Sequence, residues 1–215
     1  MDTERLALAA LVAPQHTAVL VVDVQPLFTT LPLSPPVAEV LPRLRRFLDA
    51  TNTAGVRRVF IRHVIPDERW TAVWQQQWAD RTRPGGGTLR AALAPGSPLN
   101  AFAPGFEPEP GDLVVIKQRY SGFVGTELAE LLRERGIRTV VLVGLTTDIC
   151  VSSIARDAFH HEFHTVTLAD CTAERTLARH EAGLASLAAC FGRVCTSEDI
   201  LAAWQVQPAT TEAHV

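Results

Sequence analysis

The sequence predicts an α/β fold, a mostly parallel six-stranded sheet flanked by helices. Three observations predict it. Short β-branched runs such as TAVLVV at 17–22 are apolar throughout, the habit of strands covered on both faces. These runs alternate with segments whose apolar residues recur at helical spacing. The 215 residues are 47% hydrophobic and 20% charged, which suits one globular unit with a sizeable core.

The elements follow in order. MDTERLALAALVAPQH opens acidic and lacks a basic n-region, so it reads as a helix and not as a signal peptide. Thr17 to Asp23 is the first strand and ends in a carboxylate. Pro26, Pro32, Pro35 and Pro36 are expected to keep 26–36 out of regular structure. A helix then runs from Val37 to a stop near Gly55. Val56 to Ile61 is the second strand. The stretch from His63 to Pro110 is rich in proline, holds Gly85-Gly86-Gly87, and is a long excursion of the kind that usually carries function. Within it Trp70, Trp74 and Trp78 fall four apart, which on one helix makes an aromatic stripe. That stripe either packs on the body or a subunit interface, or walls a substrate.

Asp112 to Ile116 is the third strand, followed directly by Lys117. GTELAELLRERGI is an amphipathic helix with its stop at Gly136. Val140 to Val143 is the fourth strand. It leads through Gly144 and the turn Leu145-Thr146-Thr147-Asp148 to Cys150 and the helix VSSIARDAFHH. His164 to Leu168 and Arg193 to Thr196 are the fifth and sixth strands, separated by the helix ARHEAGLASLAACFG. EDILAAW closes a single domain over 1–207, and 208–215 reads as a flexible tail.

Composition excludes several classes. The formal charge is −3 with no basic block, which argues against nucleic acid or a membrane surface as partner. No apolar segment reaches the length of a membrane span. Cys150, Cys171, Cys190 and Cys195 show no CxxC pair, and they read as reduced thiols of a cytoplasmic protein. Cys190 and Cys195 look structural, and Cys171 has a lesser claim on the site.

Three strand ends carry reactive groups, Asp23, Lys117 and Cys150, and a parallel sheet brings such ends to one rim. A thiol attacks carbonyl carbon as the thiolate. A carboxylate can take its proton and pass it to a leaving amine, and a lysine favours both ionised forms. The backbone of the 145–150 turn is placed to hold an oxyanion.

At these residues the chain resembles the isochorismatase-like cysteine hydrolases, the superfamily of nicotinamidase and N-carbamoylsarcosine amidase. AVLVVDVQPLF, VIKQRYSGFVGTELAELLRERGI and VVLVGLTTDICVSSIARDAF carry the likeness, and LADCTAE adds to it loosely. It runs over about residues 15 to 204. The resemblance implies a three-layer α-β-α arrangement and an Asp23-Lys117-Cys150 triad. It also implies a cis peptide between Leu145 and Thr146, and an oxyanion hole from the N–H groups of Thr146 and Cys150. Gln25 and Phe28 match pocket positions, and His63, Trp70, Trp74, Tyr120 and Leu145 complete the expected substrate site. Phe102 and Phe106 stand near the aromatic excursion, and a flat, partly apolar acyl group is expected. Nicotinamidase-like members carry an Asp-x-His metal motif after the second strand. Here that stretch is His63-Val64-Ile65-Pro66 and no further histidine comes before His160. No catalytic metal and no cofactor are therefore expected, and His63 reads as a pocket or core residue. The expected activity is hydrolysis of an amide, ureido or cyclic amide C–N bond of a small molecule, by a homodimer or homotetramer. The alternatives are an isochorismatase-type vinyl ether hydrolase, with Cys150 incidental, and a non-catalytic binding protein of the same fold.

Overall fold

The computed structural model describes residues 3–79 and 87–205. Gly85, Gly86 and the 208–215 tail lie outside the described residues. Six strands form one sheet: β1 Thr17–Val22, β2 Arg57–His63, β3 Leu113–Lys117, β4 Thr139–Leu145, β5 His164–Ala173 and β6 Arg193–Cys195. Their order is β3-β2-β1-β4-β5-β6, and every neighbouring pair is parallel. The expected strands are therefore all present. The helices are α1 Thr3–Leu11, α2 Pro26–Thr29, α3 Val37–Ala54, α4 Ala72–Trp74, α5 Leu89–Leu93, α6 Leu128–Arg133, α7 Ser152–His160, α8 Leu177–Cys190 and α9 Ser197–Gln205.

Alternation along the strands divides the core into two layers. Val19 and Val21 pack with Leu44, Phe47 and Leu48 of α3, Leu8 of α1 and Ile200 of α9. Ala18, Leu20 and Val22 face the other way, onto Leu128 and Leu132 of α6 and Ile154, Ala155 and Ala158 of α7. This is the expected three-layer arrangement, and it buries β1 and β4 on both faces. The edge strand β3 is covered less, and Val114 and Ile116 remain exposed. Among the described residues no helix is long and apolar enough to cross a membrane.

Two local expectations need correction. Residues 26–29 do form a helical turn, α2, because Pro26 sits at its first position, where proline has no hydrogen bond to lose and a preset φ. The tryptophans do not lie on one helix. Trp70 is extended at the end of a short 3-10 turn, α4 holds only Ala72–Trp74, and Trp78 belongs to a wider π-type turn. Trp70 is buried in a satellite cluster with Leu27, Ile65 and Leu93, onto which Trp74 and Trp78 pack.

Candidate active site

Chain order reverses direction between β1 and β4, the two central strands. Open parallel sheets place their ligands outside the carboxyl ends of the strands at such a switch point. Asp23 follows β1 directly and has a left-handed backbone, with φ 51°, a conformation aspartate tolerates better than most residues. Its N–H donates to Ile61 O of β2, which fixes the turn. Lys117 ends β3, in register with His63 at the end of β2. Its side chain reaches Asp23, which follows β1 two strands away.

Cys150 is placed by a turn that only glycine permits. A Cβ on Gly144 would stand 2.1 Å from Val22 O, far inside van der Waals contact. The peptide bond between Leu145 and Thr146 is cis, as the resemblance implies. The wide turn Thr147–Val151 follows and carries Cys150. Three contacts hold this turn from behind. Asp148 N–H donates to the fully buried Glu174 carboxylate at 3.1 Å. Thr147 Oγ1 stands 2.8 Å from His180 Nδ1 on α8. Gly183, also on α8, lets Asp148 approach closely.

The structure brings the three reactive groups together. Lys117 Nζ lies 2.8 Å from Asp23 Oδ2 and 3.3 Å from Cys150 Sγ. Its remaining donor goes to Arg119 O at 3.1 Å. The Asp23 contact is an ion pair without hydrogen-bond alignment, so both carboxylate oxygens lack an aligned donor. Burial pushes the Asp23 carboxyl above its ordinary range, and Lys117 offsets only part of this. Burial works against the Lys117 charge too, but the Asp23 carboxylate, together with the contact to Cys150, outweighs it and raises the ammonium pKa. Burial likewise pushes the Cys150 thiol up, against the pull of Lys117. The resting site is therefore an Asp23–Lys117 ion pair beside a neutral thiol.

Above this floor opens a pocket of about 550 Å³. Of the residues expected there, Phe28, His63, Trp74, Tyr120, Thr146 and Cys150 line it. Gln25 does not. Its amide accepts from His63 N–H at 2.8 Å and donates to Asn100 O at 2.7 Å and His63 O at 3.2 Å, so it holds the backbone behind the site. Trp70 lies beneath the wall, and Leu145 packs with Leu33, Val40 and Ala173. Phe102 and Phe106 belong to the layer around α3. Cys171 is also buried in that layer, its thiol pushed up to about 12 by burial. Asp23, His63 and Cys150 are the one group among the described residues with metal-ligand spacing. Lys117 already supplies a positive charge to two of the three, so a cation would have to compete with it.

The pocket also holds residues that sequence reasoning missed. Arg175 and Arg179 stand at its side, with Leu31 and Ile149. Arg179 pairs with Asp148 at 3.0 Å. Arg175 is exposed and, among the described residues, its guanidinium has no ion-pair partner. The signal available was position alone: Arg175 comes two residues after the end of β5, a strand end that reaches the same rim.

Residues 17–199 match the Isochorismatase domain. The chain belongs to the isochorismatase family. Among its family relatives, ureidoacrylate amidohydrolase RutB of Agrobacterium fabrum is 34% identical over 174 residues, covering 74% of this chain and 76% of the relative. Maleamate amidohydrolase of Pseudomonas putida is 38% identical over 109 residues, about half of each chain (51% and 51%). An isochorismatase-like hydrolase from Alkaliphilus metalliredigens superposes with a TM-score of 0.71 at 28% identity, over 87% of this chain and 98% of that one. A cysteine hydrolase from Pseudomonas syringae shares the fold with a TM-score of 0.79 at 24% identity, over 91% and 95%. Within the isochorismatase family, this chain is an amidohydrolase acting on non-peptide C–N bonds.

Proposed function

We propose that this protein hydrolyses the terminal C–N bond of a small carboxamide or ureido acid through a thioester on Cys150. The observation that carries the reading is the single ammonium, Lys117 Nζ, within 2.8 Å of a carboxylate and 3.3 Å of a thiol at the floor of a pocket. A vinyl ether hydrolase would leave that thiol without a task.

Asp23 takes the Sγ proton as sulfur bonds to the carbonyl carbon, which keeps the attacking thiolate from having to exist beforehand. Lys117 stabilises the negative charge wherever it stands between Asp23 and Cys150. The backbone N–H groups of Thr146 and Cys150 receive the oxyanion, an effect commonly worth about 10²–10³ in rate per donor. The intermediate collapses, the C–N bond breaks, and Asp23 gives its proton to nitrogen, releasing ammonia. Water then attacks the thioester and gives a proton to Asp23. The C–S bond breaks, and the proton returns to sulfur. The sum is amide plus water to acid plus ammonia.

The walls favour a flat body, since Phe28, Trp74 and Tyr120 line the pocket. Arg175, beside an Arg179 already paired with Asp148, favours a carboxylate at the side of the pocket. The names ureidoacrylate and maleamate amidohydrolase denote enzymes of small flat acids ending in –CO–NH2, which supports this choice. The test is ammonia release from ureidoacrylate and from maleamate by wild type and Cys150→Ser, with intact mass to trap the acyl enzyme. Wild type releases ammonia, and Cys150→Ser loses about 10³-fold or more. Equal turnover by the two proteins, or no ammonia from either acid, would sink the proposal.

A further inference from the structure

His63 is buried, only 3% exposed, and lines the pocket. Its backbone is clamped on both sides by the Gln25 amide, and its ring stands edge-on to Trp74. Ring nitrogen Nε2 has no hydrogen-bond partner. Burial first, then the charges of Lys117 and Arg119, push the imidazole pKa well below its ordinary value. The ring is neutral at working pH. A backbone hydrogen bond to Gln118 engages the ring, and with Nε2 unpartnered this falls to Nδ1. Nε2 is then a bare acceptor at the floor of the site.

A ring nitrogen of His63, a carboxylate oxygen of Asp23 and Cys150 Sγ all lie within 4.8 Å of one another. The mechanism above uses Asp23 and Cys150 and leaves His63 idle. Lys117 cannot be its partner, because that ammonium is already engaged by Asp23, Cys150 and Arg119 O. That 4.8 Å limit leaves room for one small group between the acceptors. Two acceptors each about 2.9 Å from one trigonal nitrogen, along its two N–H directions, stand about 5 Å apart.

We infer that His63 Nε2 accepts the second N–H of the substrate's departing –NH2 group, so that His63 and Asp23 together select an unsubstituted carboxamide or ureide. The inference rests on the amidase reading above. No proton passes to His63. As Asp23 delivers its proton, the nitrogen becomes positive and its N–H a stronger donor, so the bond to Nε2 tightens during C–N cleavage. An N-alkyl amide would bring a carbon against a buried acceptor and leave that acceptor unsatisfied, which sites built on hydrogen bonds reject strongly. His63 is thus a specificity-determining residue of the leaving-group side, opposite in role to the arginines.

The test compares three substrates sharing one acyl group, the primary amide, its N-methyl amide and its methyl ester. The proteins are wild type, His63→Leu and His63→Gln. Wild type prefers the primary amide over the N-methyl amide by about 10²-fold or more. In His63→Leu the kcat on the primary amide falls about 10- to 100-fold, and the preference over N-methyl narrows to within a few fold. Ester turnover, which involves no N–H, falls far less, and His63→Gln recovers part of the amide rate through its carbonyl oxygen. Equal losses on amide and ester would make His63 a structural residue and overturn the inference, as would an unchanged amide preference. Failure of wild type on all three substrates would instead remove the amidase reading on which it stands.

Discussion

Lys117 is among the largest fully buried side chains of this protein, and among the described residues its formal counter-ion is Asp23. Removing one member of such a pair leaves the other stranded, at a cost of about 3–5 kcal/mol. Lys117→Met should therefore lower both stability and activity, because the desolvated Asp23 would hold its proton at neutral pH and lose its function as base. Asp23→Leu combined with Lys117→Met should regain much of the stability and none of the activity, read by denaturant midpoint and ammonia release on the same samples. Arg175→Ala should raise KM about 10- to 100-fold for a carboxylate-bearing amide and leave KM for a neutral amide of the same length unchanged. A shared rise on both would deny it a carboxylate. The convergence of Asp23, Lys117 and Cys150 was legible because the ends of parallel strands share one rim, although each residue alone also fits a turn aspartate, a solvated lysine or a small buried thiol. Gln25 was misplaced because its neighbours His63 and Asn100 are remote in sequence. Arg175 was not visible because an arginine after a strand looks like ordinary surface.

The elements differ in how far each dictates its own shape. The strands were readable because β-branched runs covered on both faces admit few alternatives, and α3 because its apolar stripe ends at Gly55, which is left-handed as the stop requires. The 63–110 excursion was not readable. Among the described residues its helical pieces are three to five residues long, and Trp70, Ile65 and Leu93 pack together across them. The four-residue spacing of its tryptophans matched a helix that the extended Trp70 interrupts. The turn carrying Cys150 was placed by Gly144 and the polar residues after it, while the contact that demands a glycine there shows only in the fold. Gly144→Ala would drive a methyl into Val22 O and so separate β4 from β1. A loss of about 3 kcal/mol or more is expected, measured by urea unfolding. Gly125→Ala is the comparison, a glycine that is also left-handed (φ 69°) but has open space around it, so its loss reports backbone strain alone and Gly144→Ala should exceed it.

For the molecule as a whole, the buried histidines set the acid side of stability. His63 and His180 both have lowered pKa values from burial, so the folded state keeps them neutral while the unfolded chain protonates below about pH 6.5. Stability should fall as pH drops through that value, by up to about 1.4 kcal/mol per pH unit for His63, with His180 acting in the same direction. Asp23 acts oppositely, since its raised carboxyl binds a proton in the folded state first. Urea midpoints at pH 7.5 and 5.5 should differ, and His63→Gln should flatten the difference. The strand order has a further bearing on how the protein is made. On the ribosome β1, β2 and β3 emerge before β4, yet β1 needs β4 along one whole edge. Until Thr139–Leu145 arrives, a wholly apolar strand is left with an open edge. The half-made chain is thus the aggregation-prone species, and chains ending before β4 belong in the insoluble fraction. The same delay means that the base and the ammonium are translated well ahead of the thiol. No chain that ends before β4 can be acylated at this site, because the nucleophile follows the strand that covers the open edge of β1.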